Sequence, residues 1–244
     1  LSELWDVDWL ALQESEVSVL SSIIIPVFNE LRYTQQCLQA IFQYCDITRT
    51  QIIIIDNGST DGTLEFLSSQ SDIDFISNSE NKGFAGAVNQ GLQRARGKYL
   101  VVMNNDVIVT KDWLDRLIRA AESSPHIGVV GPMTNWISGP QRDPLAKYEN
   151  LEAMHAYAAD TRQTYEHVVI PCQQVRGFLM CITGEMLRIV GGFDEQFHIG
   201  NYEDDDFCLR ISRAGFQTVI ARDVFVHHVG SVTFNNLDIA YQKI

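Results

Sequence analysis

Basic residues are scarce in this chain: 18 Lys and Arg stand against 31 Asp and Glu, giving a formal net charge of -13 over 244 residues and a pI near 4.8. That balance excludes nucleic acid as a partner, because phosphate backbones are gripped by cationic groups that displace counterions. It also disfavours adsorption to an anionic membrane surface. Long apolar runs are missing as well. No uninterrupted stretch approaches the roughly 20 residues that span a bilayer, and Leu1-Ser2-Glu3-Leu4-Trp5-Asp6 lacks the basic flank of a signal peptide. The expectation is a soluble, cytoplasmic domain, with any peripheral association at the inner face of the membrane arising from parts outside this chain. The opening Leu and the closing Tyr241-Gln242-Lys243-Ile244 read as a module cut from a longer protein.

Cysteines are few, odd in number and never spaced C-x-x-C: Cys37, Cys45, Cys172, Cys181 and Cys208. This argues against a zinc site or a disulfide framework and for small core residues in a reducing compartment. Glycine-rich phosphate loops are absent too. No G-x-G-x-x-G follows the first apolar run, where Pro26 stands at the turn, and there is no Walker P-loop. A sugar-nucleotide pyrophosphorylase would want a Gly-rich, Arg- and Lys-bearing loop at that place, and Val27-Phe28-Asn29-Glu30 is not one.

What is present, at 45% hydrophobic residues, is enough for a substantial core. Ser22-Ile23-Ile24-Ile25-Pro26 and Ile52-Ile53-Ile54-Ile55 are short β-branched runs of the kind buried on both faces of a parallel sheet. Helical spacing follows each, over 31–44 and from Leu64. Asp72 to Ile76 and Tyr99 to Met103 continue the strands, separated by a helix over 84–94 and followed by one over 113–121. The rhythm predicts an open α/β sheet, in which ligands bind at the carboxyl ends of the strands. Polar side chains collect there: Asn29, Asp56-Asn57-Gly58-Ser59 and Asn104-Asn105-Asp106. The stretch from Met133 to Gln173 reads as an irregular loop or lid without a strong strand, and order returns at Val175 to Met180 and in a late strand, Val224 to Val226, ending at His227.

Asp56 to Gly62 combines turn formers with hydrogen-bonding side chains, suited to holding a base or ribose and equally to a tight turn with Asp61 as helix cap. Asn81-Lys82-Gly83-Phe84-Ala85-Gly86 lets backbone approach a phosphate or sugar at a helix start. Glu203-Asp204-Asp205-Asp206 opens another helical stretch, and four mutually repelling acids exceed what a helix dipole asks for. Asp206 and Arg210 are placed for an i,i+4 ion pair. The aromatics Phe193, Phe197 and Tyr202 flank the acids and are candidates to stack on a sugar ring.

Taken in order, Ser22 to Glu30, Ile55 to Asp61, Asn104-Asn105-Asp106, Gly191-Gly192-Phe193-Asp194 and Glu203-Asp204 resemble the family 2 glycosyltransferases of the GT-A fold. The likeness implies an open, mostly parallel sheet flanked by helices, with a nucleotide-sugar-binding half over 21–132, an acceptor half over 133–234, an N-terminal extension over 1–20 and a tail over 235–244. It implies a nucleoside-diphosphate-sugar donor, inverting transfer to a hydroxyl of a glycan, lipid-linked or protein acceptor, and Mn²⁺ or Mg²⁺ as cofactor. An acidic protein with little basic surface needs such a cation to bind a diphosphate. By position in the motifs, Asp204 is the general base and Glu203 orients or receives the acceptor. Pro26, Phe28, Asn29, Asp56, Asn57, Ser59, Asn81, Gly83, Asn104, Asn105 and Arg176 face the donor. Asp106 matches the last acid of the family's D-x-D element, whose first position is here the neutral Asn104. His228 fits a further metal ligand, with His227 as the fallback. The competing function is a non-catalytic sugar-nucleotide or glycan-binding module, for which Asn104 is the one hint.

Overall fold

The computed structural model describes residues 19–197 and 201–230. The expected tail, and all of the extension before residue 19, lie outside the described residues. Strands β1 (Ser21–Val27), β2 (Thr50–Asp56), β3 (Asp74–Ser77) and β4 (Tyr99–Met103) form the parallel part of a central sheet in the order β3-β2-β1-β4. Between them run α1 (Leu31–Tyr44), α2 (Thr63–Ser68) and α3 (Gly83–Arg94), each close to where the helical spacing predicts it.

Strand periodicity distributes the side chains between two cores. Ile23, Ile25, Ile52, Ile54, Val101 and Met103 face one side, where they meet α1 and α4 (Trp113–Glu122). Ile24, Ile53, Ile55, Leu100 and Val102 face the other, against α3, α6 (Gly184–Val190) and α7 (Glu203–Arg213). Both faces of each strand are covered, which is why these runs are continuously apolar rather than alternating.

Beyond β4 the sheet turns mixed. β8 (Leu179–Thr183) lies antiparallel between β4 and β6 (Ile127–Thr134), and β6 pairs in parallel with β9 (Gln217–His228). β5 (Val107–Ile108) and β7 (Val169–Cys172) are antiparallel to β9. The sheet is thus continuous across residue 132, which falls inside β6.

The expectation of an irregular stretch from Met133 to Gln173 is corrected by this structure, which places α5 (Leu151–Thr164) and β7 within it. The helix starts on Asn150, whose side chain accepts a hydrogen bond from the Ala153 N–H at 2.9 Å. It buries only Met154, Ala158 and Thr161, a stripe too small and too polar to stand out as amphipathic. The late strand is also longer than its apolar centre suggests, running 12 residues with a register shift opposite Pro132 and Met133.

Candidate functional site

The loops at the carboxyl ends of β1 and β2 are tied to each other by side chains. Asn29 and Glu30 both adopt left-handed backbone, φ 58° and 63°. The Asn29 N–H donates to Ser59 Oγ at 2.7 Å, and Asn29 Oδ1 accepts from the Thr60 N–H at 2.8 Å. Asp56, fully buried, accepts from the Ser59 N–H at 3.1 Å. Asp61 accepts from Thr63 and from the Leu31 N–H, so one carboxylate organises the starts of two helices. Pro26 and Phe28, half-buried, lead into these turns.

Asn57 is the hub of the neighbouring loop. Its Nδ2 donates to Asn81 Oδ1 (2.8 Å) and to the Gly83 carbonyl, while its Oδ1 accepts from Asn78 Nδ2 and from the Lys82 N–H. Asn81 Oδ1 also accepts from the Gly83 N–H. Gly83 has φ 76°, a conformation open to glycine, so its identity is set by the turn. The three residues are thereby brought into one network at the start of α3.

At the end of β4 three consecutive polar residues go separate ways. The Asn104 N–H donates to the Phe178 carbonyl at 2.9 Å. The Asn105 side chain is buried and donates to Thr34 Oγ1 of α1. Asp106, buried, accepts from the Gly230 N–H through Oδ2 at 2.9 Å. Its Oδ1 lies 3.4 Å from His228 Nε2, and both atoms are buried without a hydrogen-bond partner.

His228 is held on every side. Asn135 clamps its main chain, accepting from the N–H at 2.8 Å and donating to the carbonyl at 3.1 Å. The Trp136 carbonyl receives Nδ1–H at 2.9 Å, and since a carbonyl only accepts, that tautomer leaves the Nε2 lone pair toward Asp106 in the neutral ring. The ring stacks on Phe178 at 4.9 Å. His227, by contrast, is spent on Tyr148, whose hydroxyl lies 2.6 Å from its Nδ1.

Two unpartnered ligand atoms, one carboxylate and one imidazole, aimed at each other in a buried place fit a divalent cation. Among the described residues no group of three or more His, Cys, Asp or Glu could hold a metal, so within them a cation would find this pair alone. The other positions would fall to water and to phosphate oxygens, as is usual where a cation carries a nucleotide.

The acidic cluster forms the first turn of α7, its residues oriented differently. Asp204 is half-buried and anchored at both oxygens: Oδ2 accepts from the Gly177 N–H and Oδ1 from the Asp205 N–H, each at 2.8 Å. Burial pushes its pKa above the ordinary carboxylate value. Asp205 pairs with the Arg176 guanidinium. Asp206 pairs with Arg210 at 2.7 Å, the i,i+4 bond expected from the spacing. Glu203 is buried, its Oε2 has no hydrogen-bond partner, and burial pushes its pKa up to about 7.

That shift has a measurable sign. A carboxyl whose folded pKa lies above its unfolded value adds stability at low pH and loses it as the pH rises through about 7. Glu203→Gln is therefore expected to match the native protein in urea unfolding below about pH 4.5, the ordinary range of a glutamate. It should then grow progressively more stable than native up to pH 8. A stability difference that does not vary between pH 4.5 and 8 would rule out a buried, titrating Glu203.

One dipeptide joins these parts. Gly177 donates to Asp204, Phe178 stacks on His228, and the Phe178 carbonyl holds Asn104. The cation pair and the acidic helix thus share a common support. On the flank of α7 a cleft of about 770 Å³ is lined by Phe197, Tyr202, Asp205, Asp206, Leu209 and Phe216 among others. Of the three aromatics singled out in the sequence, Phe197 and Tyr202 line this cleft. Phe193 is instead a core residue, stacked on Phe207 at 4.7 Å. The cysteines offer no nucleophile, since burial pushes Cys45, Cys181 and Cys208 up to about 12.

Residues that sequence patterns do not single out prove structural to the site. Asn89 of α3 donates to the Phe193 carbonyl and to Glu195 and accepts from the Phe193 N–H, all within 2.9 Å, pinning the Gly191-to-Glu195 loop. Asn89→Ala strands two buried backbone groups and should cost about 2–3 kcal/mol in urea-unfolding experiments. A loss below about 1 kcal/mol would mean that the loop re-forms its bonds elsewhere. Asn135, Trp136 and Gln141 are the others.

A family model described as glycosyl transferase family 2 matches residues 22–184. The chain is similar to the glycosyltransferase AglE of Haloferax volcanii, 24% identical over 212 residues that cover 85% of this chain and 66% of that protein. It is also similar to the pre-mycofactocin glycosyltransferase of Mycobacterium tuberculosis, 25% identical over 197 residues, 80% of this chain and 39% of that protein. Among solved structures it superposes on the mannosyltransferase PcManGT from Pyrobaculum calidifontis in complex with GDP-Man and Mn²⁺, with a TM-score of 0.63 at 17% identity, covering 93% of this chain and 63% of that one. A structure of GalNAc-T7 with UDP, GalNAc and Mn²⁺ gives a TM-score of 0.67 at 16% identity, covering 88% and 44%. These likenesses establish the GT-A fold. The chain spans less than two thirds of the length of each of these relatives.

Proposed function

The chain belongs to glycosyl transferase family 2, and from that premise we propose that it transfers a sugar, with inversion, from a nucleoside-diphosphate sugar to an acceptor hydroxyl of a glycan, lipid or protein. The observation that carries the reading is the Asp106 and His228 pair, two buried and unsatisfied ligand atoms 3.4 Å apart beside the base-bearing helix. The family match ends at residue 184, so the roles of α7 and His228 rest on this chain's own geometry. The superposed structures, one in complex with GDP-Man and Mn²⁺ and one with UDP, GalNAc and Mn²⁺, support a donor of the same class here.

A bound Mn²⁺ or Mg²⁺, held by Asp106 and His228, would neutralise charge on the departing diphosphate. The loops after β1, β2 and β3 receive the nucleoside, with Asn29, Asp56 and Ser59 fixing one turn and Asn57, Asn81 and Gly83 the other. Asn104 and Asn105 continue that wall. Asp204 takes the proton from the acceptor hydroxyl as it attacks the anomeric carbon, its raised pKa making it a stronger base than a solvated aspartate. Arg176, paired with Asp205, is the cationic side chain offered to the diphosphate. The cleft beside α7, with Phe197 and Tyr202 on its wall, lies on the Asp205 and Asp206 side of that helix. A second reading exchanges the acids: the free Oε2 of Glu203 and its pKa near 7 also suit a base.

The test is thermal unfolding with UDP, GDP, dTDP and CDP, each with Mn²⁺, Mg²⁺ or chelator. A ligand that binds only the native state raises the midpoint by mass action. A shift with one nucleotide that chelator removes is expected. No shift with any of them would move the non-catalytic binding module to first place. Among the described residues no helix is long and apolar enough to cross a membrane.

A further inference from the structure

We propose that Trp136 is a stacking platform for a pyranose ring at the mouth of the cation site, an inference that rests on the transferase reading and extends it to sugar recognition. Single exposed apolar side chains are ordinary on protein surfaces and by themselves call for no explanation. Trp136 is unusual in how it is held. It keeps 45% of its surface in water, and among the described residues only Tyr202 is another aromatic of that exposure. Yet its backbone and one side of its ring are fixed.

The loop that carries it is closed at its base by two backbone hydrogen bonds, Thr134 N–H to the Gln141 carbonyl and Asp143 N–H to the Thr134 carbonyl, each 2.8 Å. Gln141, fully buried, braces the loop from within by donating to the Pro132 carbonyl and accepting from the Arg176 N–H at 2.7 Å. The Trp136 carbonyl takes the Nδ1 proton of His228 at 2.9 Å. The indole meets the His228 ring edge-on, centroids 5.8 Å apart. It also lies so close over Gly230 that a Cβ there would come within 2.2 Å of the ring.

The last three of these anchors, two on His228 and one on Gly230, belong to the cation site. His228 supplies one candidate ligand, and the Gly230 N–H holds the carboxylate of the other. An indole fixed on the side of the ligands and open on the other is a preorganised surface, and such rigidity is what binding sites require of their contact groups. The electron-rich face of an aromatic ring attracts the weakly positive C–H groups that a pyranose presents on one face. A diphosphate bound through a cation at Asp106 and His228 brings its attached sugar, and the acceptor sugar approaching it, into this neighbourhood. The shared chemistry is the pyranose ring.

The experiment compares the native protein with Trp136→Ala and Trp136→Phe. Affinities for a nucleoside diphosphate and for the matching nucleotide sugar are measured with Mn²⁺ by titration calorimetry. Acceptor KM is measured by initial rates, and thermal midpoints are recorded alongside. If the platform holds the donor sugar, Trp136→Ala weakens the nucleotide sugar at least tenfold while the free diphosphate binds within twofold of native. If it holds the acceptor sugar, both donor affinities stay native and acceptor KM rises at least tenfold. In either case Trp136→Phe recovers most of the loss.

Values within twofold of native in all three measurements would overturn the proposal. So would an equal loss of diphosphate and nucleotide-sugar affinity, which marks Trp136 as a support for His228 only. A native protein that binds no nucleotide defeats the transferase reading separately. Tryptophan-fluorescence titration with free mannose and N-acetylglucosamine then decides the platform: a saturable change lost in Trp136→Ala upholds it, and none overturns it.

Discussion

Replacing Asp204 by Asn is expected to lower kcat for sugar transfer by about 100- to 10,000-fold, the range contributed by a positioned general base, while leaving donor affinity within a few-fold of native. The amide keeps the size of the carboxylate, and its oxygen can still accept the Gly177 N–H that Asp204 Oδ2 accepts at 2.8 Å. What it lacks is the capacity to take a proton. Glu203→Gln supplies the comparison, because its acid is the alternative base, with one oxygen unpartnered. If Asp204 is the base, Glu203→Gln lowers kcat far less than Asp204→Asn and leaves the acid limb of the pH–rate profile in place. The reverse order of effects would transfer the role to Glu203.

The second large effect is expected at the cation pair. His228→Ala and Asp106→Asn should each weaken Mn²⁺-dependent binding of the nucleoside diphosphate by more than about 100-fold, since even groups one step removed from a metal typically cost 10- to 100-fold. The thermal shift produced by nucleotide plus Mn²⁺ should disappear in both variants. His227→Gln serves as the control, because His227 is turned to Tyr148 rather than to Asp106. A nucleotide shift that survives in His228→Ala with its Mn²⁺ dependence intact would remove His228 from the ligand set. Asp106→Asn is the milder of the two for the empty protein, because His228→Ala also removes the bond to the Trp136 carbonyl and the buried ring stacked on Phe178.

The parts of this fold that are legible in the sequence are those whose signal is local. β1 and β2 declare themselves by continuous β-branched runs, β4 by a continuous apolar one, and the ion pair of Asp206 with Arg210 by i,i+4 spacing. β6 is concealed because Gly128, Gly131 and Pro132 interrupt it, although all eight of its residues are buried. Helix α5 is concealed because it buries only Met154, Ala158 and Thr161, one large apolar residue in 14. The candidate site divides the same way. Asp106 and Asp204 stand in recognisable motifs, but Asn104, Asn105 and Asp106 look alike until the structure sends each to a different partner. Asn135 meets His228 across 93 positions and Asn89 meets Phe193 across 104, separations at which no periodicity survives to be read.

The dipeptide Gly177-Phe178 carries a consequence for how the molecule tolerates its own thermal motion. Asp204 is referenced to the first of these residues by a hydrogen bond and His228 to the second by ring stacking. Breathing of the sheet that displaces residues 177 and 178 together is therefore common to both groups and leaves the distance between them nearly unchanged. Only motions that twist one residue of the dipeptide against the other alter that spacing, and the bond from the Asn104 N–H to the Phe178 carbonyl stiffens against them. Two chemical groups carried on different elements thus keep a fixed separation by sharing a datum, without either element having to be rigid on its own.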